Sequence, residues 1–257
     1  MGNSIKKLGS IIHHWHERAY TLWRIRETGV HFRKALAYYE QVFFLEFRSA
    51  LIGDNLIVYD IGAASGVFSA CLAKLCNVQS VHAFEPIPSA FAELTEHTRQ
   101  YPQIERHNVA VGAENAESTI WVTVDSRDSS SLLKMLPLHK EEQPYATYED
   151  QPEKIQIVRL DDFVREKQLP LPDVMKIDVQ GYETHVLDGG STVITHAAFV
   201  ILEMSFLSLY EGGPLFDDVY CQMRNLGFRL VGMTGGLRGV SGRHLQADGI
   251  FQNLRYV

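Results

Sequence analysis

The sequence predicts an α/β domain built on a mostly parallel sheet, and three observations predict it. Short apolar strands alternate with helices of roughly ten residues between positions 56 and 111, the spacing of βαβ units. The run VYDIGAASGVFSA (residues 58–70) turns a strand into a helix through a pair of glycines. Four acids, Asp60, Glu85, Asp178 and Glu203, fall at the carboxyl ends of apolar strands, the edge where open α/β sheets bind ligands.

Residues 1–52 read as an N-terminal helical extension. Ile11, Ile12, Trp15, Ala19, Leu22 and Trp23 mark a stripe of helical period, and Phe32, Ala35, Leu36, Tyr39, Phe43 and Phe47 resume it after Gly29. His13, His14 and His16 do not converge on one face and read as surface residues. The extension is open to three readings: a cap over an active site, a dimer surface in a homo-oligomer, or packing onto a sheet edge. Residues 53–257 form the α/β domain. Its strands are expected over 56–60, 78–84, 104–111, 118–124, 155–160, 174–179, 198–204, 228–233 and 250–257. Its helices are expected over 67–75, 90–100, 163–167 (capped by Asp161 and Asp162), 182–187 and 214–225. Residues 141–153 read as an exposed acidic loop, and 235–249 as a glycine-rich loop carrying Arg238, Arg243 and His244.

The bulk properties narrow the function. With 24 Lys plus Arg against 31 Asp plus Glu, the formal charge is −7, so no nucleic-acid partner is expected. Cys71, Cys76 and Cys221 form no CxxC pair, which argues against a zinc ribbon and is compatible with a reducing compartment. No apolar run reaches the roughly 18 residues of a membrane span, and MGNSIKKLGS lacks an apolar signal core. A cytoplasmic location is expected.

The first turn restricts the ligand. Gly62 and Gly66 are spaced GxxxG, whereas a dinucleotide fingerprint needs GxGxxG, and Ala64 stands where its middle glycine would be. The Gly-Lys-Ser/Thr of a phosphate loop is absent. Asp60 at the strand end disfavours a pyrophosphate but suits the ammonium of an amino acid. Glu85, one strand later, can accept hydrogen bonds from both hydroxyls of a ribose. Adenosine joined to an amino acid without phosphates is S-adenosylmethionine. Ala63 in the loop and Pro86 beside Glu85 belong to the same site, and Asn108, Val109 and Ala110 at the next strand end should face the adenine.

The stretches YDIGAASGVFS, HAFEPIPSAFAEL, VRLDDF, VMKIDVQGYETHVLDGG and VILEMSF resemble, in order and spacing, the FkbM-type family of S-adenosylmethionine-dependent methyltransferases. The resemblance covers roughly residues 59–206. It implies a Rossmann-like, seven-stranded, mostly parallel methyltransferase sheet and methyl transfer, commonly to a hydroxyl of a sugar or other small metabolite. Within it Asp60, Gly62 and Gly66 match the cofactor loop, Glu85 the ribose-binding acid, and Asp178 the aspartate of the later motif. Two positions depart from the family pattern: Ala64 stands where Asn is frequent, and Gln180 where Glu is frequent.

Methyl transfer is an in-line displacement that needs alignment and, for a hydroxyl acceptor, a destination for its proton. Asp178 is the first candidate for orienting the acceptor or taking that proton. Glu203 and His185 are further candidates, each with a structural alternative: an ion pair at the sheet edge for Glu203, a surface helix position for His185. Asp178 and Glu203 suit magnesium, yet two carboxylates do not make a metal site, and the transfer is read as metal-independent. Two other functions remain open from these residues: a non-catalytic adenosyl-ligand-binding scaffold with the same fold, and an NAD-dependent dehydrogenase.

Overall fold

The computed structural model describes residues 53–122, 130–143, 153–234 and 236–257, together with Leu36, Phe47, Ala50 and Leu51. Most of the predicted extension over 1–52 therefore lies outside the described residues. Strand β1 (Leu56–Ile61) sits mid-sheet, and five of the six residues of LIVYDI are buried. A strand covered on both faces reads as a continuous apolar run, and this one is flanked by parallel neighbours on each side. Helix α1 (Val67–Leu75) follows the turn and buries Val67, Phe68, Ala70, Cys71 and Leu72. Strand β2 (Val78–Phe84) and helix α2 (Pro88–Thr98), which opens with proline in its first turn, complete the next unit.

The predicted strand over 104–111 divides in two. β3 (Ile104–His107) closes the main sheet beside β2, while β4 (Ala110–Gly112) joins a second sheet with β5 (Ala116–Ile120) and β6 (Glu153–Arg159). The break lies at Asn108, whose side-chain amide donates to the carbonyls of Glu85 (2.9 Å) and Pro86 (3.0 Å) instead of leaving the backbone to run straight. A short helix not expected from the sequence, α3 (Pro137–Glu142), runs into the first two residues of the predicted loop over 141–153.

Helix α4 (Leu160–Lys167) begins directly after β6, earlier than expected. Asp161 does not cap it. Its carboxylate accepts from the N–H groups of Thr192 and Val193 in the first turn of a different helix, α6 (Ser191–Ile194), which follows α5 (Glu183–Gly189). Strands β7 (Val174–Ile177) and β8 (Phe199–Ser205) extend the parallel sheet on the far side of β1, and helix α7 (Phe216–Asn225) leads into β9 (Phe228–Met233).

The predicted loop over 235–249 is also corrected. It contains the two-residue β10 (Leu237–Arg238) and most of β11 (His244–Asn253), which pairs antiparallel with β8 on one side and with β9 and β10 on the other. Gly249 reads as a loop signal in sequence, but here the missing side chain makes room for Met204 and Phe251 in the packed sheet. The chain ends in a single turn of 3-10 helix (Leu254–Tyr256), not in strand.

The main sheet runs β10-β11-β8-β7-β1-β2-β3, with β9 also on β11. It is the expected mostly parallel sheet, with eight strands when the two-residue β10 is included. The order reverses between β1 and β7, so the carboxyl ends of β1, β2 and β7 open a crevice at the topological switch point. One apolar cluster, containing Val58, Phe68, Leu72, Val81 and Leu94, also buries Leu36, Phe47 and Ala50. A second, with Tyr59, Phe84, Met175, Val186 and Phe251, packs the other helices. No helix among the described residues is long and apolar enough to cross a membrane.

Candidate active site

The turn after β1 is held by its backbone. The N–H groups of Gly62 and Ala63 both donate to the Phe84 carbonyl at the end of β2, at 3.0 and 2.9 Å. Gly62 has φ +86° and Gly66 φ +85°, values that glycine adopts freely. A Cβ on Gly62 would collide with the Asp178 carbonyl oxygen, and one on Gly66 with Leu94 and Thr98. Ala64 also has a left-handed backbone, φ +47°, where Asn or Gly is usual.

Glu85 is gripped by the same turn. Its Oε2 accepts from the Ala64 N–H at 2.9 Å and its Oε1 from the Ile87 N–H at 2.8 Å. Burial pushes its carboxyl up to about 7 although both hydrogen bonds favour the charged form. Asp60 is fully buried beneath the turn. Its Oδ2 accepts from Ser69 Oγ at 2.6 Å, and its Oδ1 has no hydrogen-bond partner among the described residues. Burial raises its pKa, opposed by Lys176 and by the Ser69 hydrogen bond.

A cleft opens at these strand ends, at the switch point where open α/β sheets bind ligands. Of the residues expected in a cofactor site, Gly62, Glu85, Pro86, Val109 and Ala110 line it; Ala64, which was not expected there, and Asp178 line it too. Asp60, Ala63, Gly66 and Asn108 are not among the lining residues; they stand behind it and shape the turn. Phe84, Ile87, Val111, Ile120 and Leu132 add apolar walls, and Ser130, Gln180 and Tyr182 add polar ones.

Behind the cleft lies a polar knot centred on the segment KIDVQGYE. Lys176 Nζ meets Asp178 Oδ2 at 2.9 Å and lies over the Phe68 ring, 5.4 Å from its centroid. Burial works against the charge of Lys176, but Asp178, Asp60 and Asp248 more than offset it and hold its pKa above the ordinary lysine value. The Gln180 side-chain amide donates to Asp178 Oδ1 and to Glu203 Oε2, both at 2.8 Å, and accepts from Tyr210 Oη at 2.8 Å. Gln246 Nε2 donates to the same oxygen of Glu203 at 2.7 Å. Burial, then Asp178 and Glu183, push Glu203 well above the carboxylate range. Glu183 Oε1 accepts from the N–H groups of Gly181 (3.0 Å) and Val179 (3.3 Å), and burial pushes it up to about 7.

The three catalytic candidates therefore separate. Asp178 faces the cleft. Glu203 is held behind it by two glutamines and makes no ion pair among the described residues. His185 lies outside the lining, its ring stacked on Tyr182 at 4.0 Å between centroids. Lys176 and Gln246 were not expected in the site. A lysine inside an apolar strand, two residues before an acid, was the available signal for Lys176; Gln246 fell in the stretch read as loop.

Residues 60–230 match the methyltransferase FkbM domain, two thirds of the chain, and the chain belongs to that family. It is an S-adenosylmethionine-dependent methyltransferase. Among curated relatives it is 27% identical over 169 residues to the 2-O-methyltransferase NoeI of Sinorhizobium fredii, covering 64% of this chain and 69% of that protein. It is 26% identical over 157 residues to the hexuronic acid methyltransferase AglP of Haloferax volcanii, covering 59% of this chain and 56% of the relative. The chain thus spans little more than half of that second relative. Among solved structures, a ribosomal protein L11 methylase from Lactobacillus delbrueckii subsp. bulgaricus has a TM-score of 0.48 at 12% identity, covering 84% of this chain and 78% of that one. The magnesium protoporphyrin IX methyltransferase of Synechocystis PCC 6803 has a TM-score of 0.46 at 14% identity, covering 91% and 90%.

Proposed function

We propose that this chain methylates a hydroxyl group of a sugar or other small metabolite. The observation that carries the reading is Asp178: a carboxylate on the wall of the cleft at the strand ends, fixed by Lys176 and Gln180, with no nucleophilic side chain needed beside it. The names of both curated relatives, a 2-O-methyltransferase and a hexuronic acid methyltransferase, support the same acceptor class.

S-adenosylmethionine, when bound, supplies a methyl group activated by a sulfonium. The residues fit it. Glu85, oriented by two backbone N–H groups, keeps lone pairs for the ribose hydroxyls. Phe84, Ile87, Val111 and Leu132 offer apolar faces for a base. Asp60, with an unpartnered buried oxygen, contributes negative potential beneath the loop that favours an ammonium group. Asp178 then orients the acceptor hydroxyl and receives its proton late in the displacement, since an ordinary carboxylate is too weak a base to ionise an alcohol beforehand. Glu203 and His185 act indirectly, Glu203 by positioning Gln180 and His185 by supporting the Tyr182 ring.

A screen of monosaccharides and uronic acids with S-adenosylmethionine, read by mass spectrometry and by release of S-adenosylhomocysteine, tests the acceptor class. An O-methyl sugar is expected. In that assay Asp178→Asn should lower kcat by about 10²–10⁴ while S-adenosylhomocysteine affinity changes less than about threefold. Equal losses in kcat and cofactor affinity would contradict the role given to Asp178, and methylation at nitrogen would overturn the acceptor class.

A further inference from the structure

A second cluster lies on the edge of the sheet, outside the cleft. β2 and β3 run parallel with His82 opposite Glu105 and Phe84 opposite His107. Side chains alternate between the faces of a sheet, so His82, Glu105 and His107 all project from one face. The side chain of His82 is 2% exposed, that of His107 9% and that of Glu105 57%. Because β3 is the last strand of the sheet, the cluster meets solvent at Glu105.

Nδ1 of His82 lies 3.3 Å from Nε2 of His107, with the ring planes 8° apart. The Glu105 carboxylate stands 3.6 Å from the first nitrogen and 3.9 Å from the second. Two nitrogen ligands about 2.0–2.1 Å from a tetrahedral zinc are roughly 3.3–3.4 Å apart, which matches the separation of these two. We propose that His82 Nδ1, His107 Nε2 and the Glu105 carboxylate form a site for a divalent transition metal of the zinc type, with water completing the coordination.

The surroundings favour it. Ser80 Oγ lies 3.3 Å from His82 Nε2; in the tautomer with the proton on Nε2, Ser80 accepts from it and Nδ1 keeps a free lone pair, the outer-shell device common to histidine ligands. Burial holds both imidazoles below their ordinary value, His107 at about 4 with help from His82 and Lys167. Without metal, one proton is shared between the two facing nitrogens. The ion takes its place and that proton passes to solvent. The site also reaches the cleft mechanically. The His107 carbonyl accepts from the Glu85 N–H at 3.0 Å, and the His107 ring packs on Phe84 with centroids 4.7 Å apart. Metal binding clamps the two strand ends that carry the ribose-binding acid.

The test is titration of the full chain with Co²⁺, followed by visible absorption and metal analysis, beside Glu105→Gln and His107→Gln. Wild type should take up one ion with a tetrahedral cobalt spectrum. Glu105→Gln, at an exposed position that leaves the fold intact, should weaken binding at least about tenfold, and His107→Gln should abolish the spectrum. Excess Zn²⁺ should raise the Tm of wild type by about 5–10 °C, that of Glu105→Gln by less, and leave His107→Gln unmoved. Absence of the tetrahedral spectrum in wild type would overturn the proposal. So would cobalt binding of equal strength in both variants, which would assign the ion to histidines elsewhere in the chain.

Discussion

Individual residues in the first turn carry opposite kinds of strain. Gly62 and Gly66 meet positive φ without cost, whereas Ala64 at φ +47° places a Cβ in the left-handed region. Asn tolerates that region, and the frequent Asn of the family at this position has a physical reason. Ala64→Asn should therefore stabilise the protein by about 0.5–1 kcal/mol in urea unfolding; a loss of stability would show that the turn is not strained. Glu85 is tuned by burial. A ribose hydroxyl donates best to the ionised carboxylate, so affinity for S-adenosylhomocysteine should rise between pH 6 and pH 8 as the group near 7 loses its proton. Glu85→Gln should flatten that rise, as isothermal titration at several pH values can check.

Among the elements, the β7–α5 connection is the one whose sequence most directly dictates its chemistry. Gln180 and Gly181 both have positive φ, and a Cβ on Gly181 would strike the Tyr210 ring. That backbone turns the Gln180 amide toward Asp178 and Glu203 together. Gln180→Glu, which restores the frequent family residue, would replace a donor to two carboxylates with a third carboxylate. It should cost about 3 kcal/mol at pH 8 and much less at pH 5, where protonation removes the repulsion; an equal effect at both pH values would contradict the network. Much of this was legible beforehand. The strand-end positions of Asp60, Glu85, Asp178 and Glu203 follow from apolar runs ending in an acid, and the two glycines of the first turn mark its bend. Burial of Asp60 beneath the turn was not legible, because it depends on Ser69 and on Lys176 from a strand more than a hundred residues later. The first part of β11, residues 244–249, was missed because Gly249 punctuates a sequence in the same way whether it makes a turn or makes room for Met204. The His82–Glu105–His107 cluster was missed because it exists only through the register of β2 against β3.

Across the whole molecule, stability and ligand binding pull on the same acids. Glu85 and Glu183 ionise near 7 in the folded chain, against an ordinary value near 4.5. A carboxyl whose folded pKa is raised costs nothing below pH 4.5, where both states are protonated. It destabilises the fold progressively as pH rises to about 7, by on the order of 3 kcal/mol each. Glu183→Gln should thus be more stable than wild type at pH 8 and equal to it at pH 4.5 in denaturant unfolding; a constant difference would place the effect in packing instead. Glu85 carries the same cost on the wall of the cleft, where the proposed ribose contact would use its ionised form. The central claim, an adenosyl cofactor held by Glu85 at the switch point between β1 and β7, is tested most directly by calorimetric titration of wild type and Glu85→Ala with S-adenosylhomocysteine, with NAD as control. Saturable binding of the adenosyl ligand alone, weakened at least about tenfold in the variant, is the predicted result. Binding unchanged in Glu85→Ala, or none in folded wild type, would contradict it.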